Sequence, residues 1–267
     1  MPLTLEFEET GAGPPVVILH GLFGASRNWR SVAQALAPQH RVLCVDLRNH
    51  GASPWADSMG YLEMAADVQA LIARQRLHQP LLVGHSMGGK TAMALALQNP
   101  AAIGGLVVVD IAPVAYADRM TPYVQAMAGL DLAGLAGRAV AQSRLAERLA
   151  GLLAGRRADP GVVGFLLQNL VSHDGRFDWR LNLAAISAAV PGLSGFPAEL
   201  RGRQYGGPSM LVYGTQSDYV TPGHAADFVD WFPQSRQIAI AGAGHWLHAE
   251  QPAAFIAALQ QATGAAT

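Results

Sequence analysis

Ser86 is the residue whose surroundings point most directly to chemistry. It sits in Gly84-His85-Ser86-Met87-Gly88-Gly89, between an apolar run from Leu81 to Val83 and a helix-forming run from Thr91 to Leu97. Gly84, Ser86 and Gly88 complete G-x-S-x-G in a strand, turn, helix context, the pattern of a nucleophile elbow. In such a turn the serine hydroxyl is lifted above the end of a sheet. The flanking glycines are needed because a Cβ would collide where the strand and helix backbones converge. The strain falls on Ser86, and folds keep such strain mainly where function uses it.

The same stretch fits a second chemistry. Gly84, Gly89, Lys90 and Thr91 satisfy G-x-x-x-x-G-K-[ST], the phosphate-cradling P-loop. The run Leu106 to Val109, ending in Asp110, resembles an apolar strand that presents a magnesium ligand. Local residues do not separate the two readings, but a chelator would: a nucleotide enzyme needs magnesium, and a serine hydrolase is indifferent to its removal.

A serine hydroxyl attacks only when a base takes its proton and a third group holds that base in the right tautomer. His245, in the glycine-rich stretch Ala241-Gly242-Ala243-Gly244-His245-Trp246, is the candidate base, with His248 the fallback. Two aspartates are open as the acid. Asp110 follows one apolar run and Asp218 the next, and each preserves the chain order Ser, Asp, His. The tetrahedral intermediate also needs two amide donors. Met87, at a helix N-terminus, is one candidate. The other lies just after His20-Gly21, at Leu22, with Phe23 the alternative.

These residues need a scaffold that gathers them. The 267 residues are 51% hydrophobic and 14% charged with a net charge of −1, which suits one sizeable core and gives no electrostatic case for nucleic acid. A single cysteine, Cys44, excludes an internal disulfide and reads as a buried thiol. The N-terminus alternates apolar and acidic residues as an edge strand does. It lacks the pattern of a signal peptide, and no apolar run reaches membrane-spanning length. A cytoplasmic protein with no membrane partner is expected.

Apolar runs at Val16 to Leu19, Arg41 to Val45, Leu81 to Val83, Gly105 to Val109, Ser209 to Tyr213 and Gln237 to Ile240 read as parallel strands separated by helices. One helix is expected over Tyr61 to Leu77, with Ser26 capping an earlier one. From Pro113 to Gly207 no buried strand is evident. Helical segments such as Val124 to Leu153 are broken at Gly151, Gly155 and Asp159-Pro160. The expected fold is α/β, a doubly wound, mostly parallel sheet whose ligands bind at the carboxyl ends of its strands. Ser86, both aspartates, His245 and the His20 to Gly24 loop all fall at that edge.

The set His20-Gly21-Leu22-Phe23-Gly24, Asp46 to Ser53, Gly84 to Lys90, Val109-Asp110-Ile111-Ala112-Pro113, Asp174 to Leu183 and Gly242 to His248 resembles the capped serine esterases and thioesterases of the α/β-hydrolase superfamily. The resemblance runs through nearly the whole chain. It implies a hydrolase core over residues 1–112 and 208–267 with an inserted helical cap over 113–207. It implies Asp110 as the acid, since that subgroup draws it from the Val-Asp-Ile-Ala-Pro motif. Ser217 occupies the superfamily's usual acid position with Asp218 one place beyond, which keeps Asp218 as the alternative. Lys90 is a residue the subgroup carries, which removes the need for a P-loop. The loop Arg48-Asn49-His50 is expected to brace the oxyanion turn, and Phe23, Phe165, Leu166, Leu170 and Trp246 to wall an acyl pocket. The expected activity is cofactor-free and metal-free carboxylic ester hydrolysis on a small-molecule acyl ester, extending to thioesters, by a monomer or small homo-oligomer. Alternatives on the same triad are carbon-carbon bond hydrolysis, perhydrolysis and a slow-turnover ligand receptor.

Overall fold

The computed structural model describes residues 1–153 and 158–265. The chain runs β1 (Phe7–Thr10), β2 (Pro15–Leu19), α1 (Arg30–Leu36), β3 (Arg41–Val45), α2 (Tyr61–Arg74), β4 (Leu81–His85), α3 (Met87–Gln98) and β5 (Gly105–Val109). It continues with α4 (Thr121–Ala128), α5 (Arg138–Leu152), α6 (Pro160–Leu167), β6 (Leu170–His173), β7 (Arg176–Trp179) and α7 (Leu183–Ser194). It ends with β8 (Ser209–Gly214), α8 (Pro222–Trp231), β9 (Ser235–Ile240), α9 (Leu247–Glu250) and α10 (Pro252–Ala265).

Seven strands form one sheet in the order β1-β3-β2-β4-β5-β8-β9, parallel throughout except for the antiparallel edge strand β1. The order reverses direction around β2, so β4 becomes the central strand and Ser86 follows it directly. Alternation along the strands explains the two faces. Val17, Leu43, Leu82, Val108 and Leu211 pack with α2, α3 and α8, while Val16, Val42, Val83, Val107 and Val212 pack with α1 and α10. Both faces of a parallel sheet are covered, which is why its strands read as unbroken apolar runs. Cys44 is buried in the second layer, and burial pushes its thiol up to about 12.

Several local expectations change. The helix expected over Tyr61 to Leu77 ends at Arg74. Ser26 does not cap a helix: it is the first residue of a short 3-10 turn, and its amide instead donates to Asp46 Oδ1 at 2.6 Å. The segment from Val124 to Leu153 is two helices, α4 and α5, and Gly151 lies within the second. Gly155, an expected break, lies outside the described residues. Asp159 caps α6, accepting from the Gly161 amide.

The stretch between β5 and β8 is not purely helical, because β6 and β7 form a separate antiparallel hairpin. Its two-residue turn, Asp174-Gly175, has φ of +50° and +76°, as the right-handed twist of a hairpin requires.

The elbow closes only without side chains. Ser86 has φ 52° and ψ −116°. A Cβ on Gly84 would come within 2.2 Å of the Gly88 carbonyl oxygen, and one on Gly88 within 2.6 Å of the His20 and Leu19 carbonyl oxygens. These neighbours are backbone and cannot rotate away. Gly84→Ala is therefore expected to lower unfolding stability by about 2 to 4 kcal/mol in urea titrations; unchanged stability would contradict the steric account.

Candidate active site

Four loops converge over the carboxyl end of β4. The β8 and β9 loops pack directly on each other, with the Gln216 amide donating to the Ala243 carbonyl at 2.8 Å. This contact carries His245, in the loop after β9, back to the end of β5. There the His245 Nδ1–H donates to Asp110 Oδ2 at 2.7 Å. Asp110 is fully buried, and its carboxylate also accepts from the Gly214 amide at 3.1 Å and from the Ser217 hydroxyl. Such donors replace the solvent that a buried carboxylate has lost.

Asp218 is brought somewhere else. Its side chain is 69% exposed and pairs with Arg119 at the surface. Ser217, at the position where the superfamily usually has its acid, points its hydroxyl into the buried network instead. Sequence reasoning noted Ser217 without giving it a task, although it lay in the loop expected at this edge.

His245 is held on other sides too. The Tyr219 ring stacks on the imidazole with centroids 3.9 Å apart, and the His85 Nε2–H donates to the His245 carbonyl at 2.8 Å. Neither contact was expected. His248, the fallback base, stacks on Trp29 at 4.3 Å, has no carboxylate partner among the described residues, and is pulled down to about 4 chiefly by burial.

The amides of Leu22 and Met87 have no acceptor among the described residues, and both residues border the cavity space around Ser86. The alternative donor, Phe23, is already engaged: its amide donates to His50 Nε2 at 3.2 Å. His50 in turn donates from Nδ1 to the Arg48 carbonyl at 2.9 Å, so the imidazole must be neutral to do both. Burial first, then the neighbouring His20 ring, which disfavours a second proton beside it, pulls the His50 pKa down to about 3. The turn is pinned from its other side by Asn169, whose side chain donates to the Phe23 carbonyl at 2.8 Å. The loop around Asn49 is tied to Asn182, which donates to the Asn49 carbonyl at 3.2 Å. Arg48 is drawn away from the site by a buried pair with Asp67 at 2.7 Å.

The P-loop chemistry loses its parts here. Lys90 is 1% exposed and its ammonium donates to the carbonyls of Val114, Ser194 and Gly195 at 2.9, 3.2 and 2.5 Å. It fastens the start of the segment after β5 and the end of α7 to α3, although burial pulls its pKa down to about 7. The Thr91 hydroxyl is spent within α3, on the Met87 carbonyl. Phe23, Phe165, Leu166 and Trp246 line a cavity of about 280 Å³ that also contains Ser86 and His245. Leu170 does not line it, being buried in the hydrophobic core beneath the hairpin.

This geometry agrees with what the chain is similar to. Residues 14–252 match the family model of the alpha/beta hydrolase fold, and the chain belongs to that family. It is 38% identical over 250 residues to the mouse sn-1-specific diacylglycerol lipase ABHD11, covering 92% of this chain and 80% of that protein. It is 35% identical to the Escherichia coli esterase YbfF, covering 92% of each. Among solved structures, a marine microorganism esterase superposes with a TM-score of 0.90 at 32% identity, over 97% of this chain and 99% of that one.

His50 gives the site a pH dependence whose sign is fixed. Its folded pKa of about 3 lies below the ordinary 6.5, so between these values the unfolded chain binds the extra proton. The stabilisation is complete above pH 6.5 and is lost as pH falls through that window. Going from pH 6.5 to 5, His50 alone should remove about 2 kcal/mol of unfolding free energy. In His50→Gln that part of the loss should vanish from urea titrations; an undiminished loss would contradict the assignment.

Proposed function

We propose that Ser86, His245 and Asp110 form the catalytic triad of this chain, with the Leu22 and Met87 amides as its oxyanion hole. The chain is a carboxylic ester hydrolase. The single observation that carries the residue assignment is the Nδ1 contact of 2.7 Å between His245 and the buried Asp110 carboxylate. That bond orients the imidazole so that Nε2 faces the substrate side and stabilises the imidazolium formed when Ser86 gives up its proton. Ser86 Oγ attacks the acyl carbon, and the two amides meet the negative charge that develops on the carbonyl oxygen. His245 returns the proton to the leaving oxygen. Water, activated by the same imidazole, then releases the acyl group and restores Ser86.

Residues 113–207 act in this reading as a cap over the site. Support comes from the contacts of Asn169 and Asn182 with the loops around Ser86, and from the residues of α6 that border the cavity. Thioesters fit the same chemistry, since a thiolate leaves from the acyl carbon at least as readily as an alkoxide. A cytoplasmic setting is part of the proposal. Among the described residues no helix is long and apolar enough to cross a membrane.

Two experiments test the assignment. A fluorophosphonate probe should label Ser86, with labelling and p-nitrophenyl ester hydrolysis both abolished in Ser86→Ala and both indifferent to chelator. Labelling at another residue would overturn it. Asp110→Asn should lower kcat by about 10³- to 10⁴-fold, while Asp218→Asn should stay within about threefold of the parent. The reverse pattern would move the acid to Asp218.

A further inference from the structure

Ser86 does not open onto one cavity but stands between two of very different size. The larger, about 280 Å³, contains His245 and is walled by Phe23, Val162, Phe165, Leu166 and Trp246. The smaller, about 60 Å³, lacks His245 and contains Met87, with Tyr61, Ile111, Tyr116 and Leu193 around it. Both share Leu22, Ser86, Arg119, Met120 and Tyr219, so they meet at the proposed nucleophile.

Which half of an ester enters which cavity follows from the chemistry, granted the triad proposed above. The leaving oxygen must take its proton from His245 as its bond to the acyl carbon breaks, so the alcohol half must lie on the side that has His245. Only the larger cavity does. The acyl chain and the leaving oxygen diverge from the same carbon, so with the alcohol half in the larger cavity the chain is left the smaller one, which Met87 borders.

The size difference then becomes a selectivity rule. An apolar cavity of about 150 Å³ accommodates benzene, so the smaller space admits only about two to four carbons and the larger a group well beyond one ring. The small cavity is also stiff. Lys90 is held by the carbonyls of Val114, Ser194 and Gly195, and its ammonium lies 4.8 Å from the centre of the Tyr116 ring. The Tyr116 hydroxyl accepts from the Ala112 amide and donates to the Tyr219 carbonyl, both at 2.9 Å. The Tyr61 hydroxyl donates to the Leu193 carbonyl at 2.6 Å. Walls tied in this way do not yield to a longer chain without breaking buried hydrogen bonds.

We infer that the preferred substrates are esters of a short acyl group with a large apolar alcohol, the acyl group seated beside Met87, Tyr116 and Leu193 and the alcohol beneath Phe165 and Trp246. The apolar pocket first expected to hold an acyl chain thus holds the leaving group. The inference rests on the serine hydrolase reading and is separable from it.

Octyl acetate and ethyl octanoate make the test, because they are isomers with the same carbon count and differ only in which half is long. Hydrolysis followed by pH-stat is expected to give a kcat/KM for octyl acetate about 100-fold or more above that for ethyl octanoate. Equal or reversed values would overturn the inference while leaving the triad intact. So would turnover of p-nitrophenyl acetate with neither isomer hydrolysed. Loss of all hydrolysis and of fluorophosphonate labelling at Ser86 would instead defeat the serine hydrolase reading, and the inference with it. Two variants separate the cavities. Leu193→Ala widens the small one and should raise the ethyl octanoate to octyl acetate ratio about tenfold. Phe165→Ala should raise KM for octyl acetate more than for ethyl acetate. An unmoved ratio in the first, or equal effects in the second, would overturn the placement of the two halves.

Discussion

A serine held at φ 52° with a helix starting on its next residue is a conformation the chain can sustain only where backbones touch. Gly84, Gly88 and Gly89 provide that closeness, and each would drive a Cβ into a neighbouring atom within 2.6 Å. The strain is supported from both sides. The Ser86 amide donates to the Val109 carbonyl of β5, and its own carbonyl accepts from the Lys90 amide, each at 3.0 Å. The payoff is positional. Met87 sits at a helix N-terminus with its amide free, beside a hydroxyl that the sheet presents to the converging loops.

Around that corner the polar groups are arranged in two connected shells of neutral imidazole and buried carboxylate. His20 accepts from the Leu47 amide at 3.0 Å and donates to the Gly21 carbonyl at 2.8 Å, so like His50 it must be uncharged. Desolvation holds both below the ordinary histidine value. These rings set the backbone of the His20 to Gly24 loop, so that the Leu22 amide stays unpaired while Phe23 is engaged. Asp46 closes the layer beneath, accepting from the Ser26 and Ala52 amides at 2.6 and 2.8 Å. The segment between β5 and β8 is tied down beside this: Asn169, Asn182 and Lys90 each bond it to the loops or helix beside Ser86.

Much of this was legible from the residues alone, for a physical reason. Parallel strands buried on both faces write themselves as apolar runs, and the loops that follow them must share one edge, so Ser86, His245 and both aspartates could be gathered without coordinates, with only the family resemblance favouring Asp110. What stayed hidden depends on distances across loops. Asp110 and Ser217 are separated by 107 positions, and nothing local to either says that the hydroxyl reaches the carboxylate while Asp218 turns outward to Arg119. The hairpin was a different kind of miss, since Asp174-Gly175 is a strong two-residue turn signal; strands of only four residues each, mostly exposed or half-buried, obscured it. Lys90 was misleading for the opposite reason. A lysine after two glycines satisfies a phosphate pattern, and only its burial against three carbonyls reveals a structural fastening.

The account turns on one proton, the one His245 Nδ1 shares with Asp110. Proton NMR of protein labelled with ¹⁵N-histidine reads it directly. A far-downfield resonance coupled to His245 Nδ1, present in the parent and in Asp218→Asn and absent in Asp110→Asn, is the expected result. No such resonance in the parent, or its loss only in Asp218→Asn, would contradict the account.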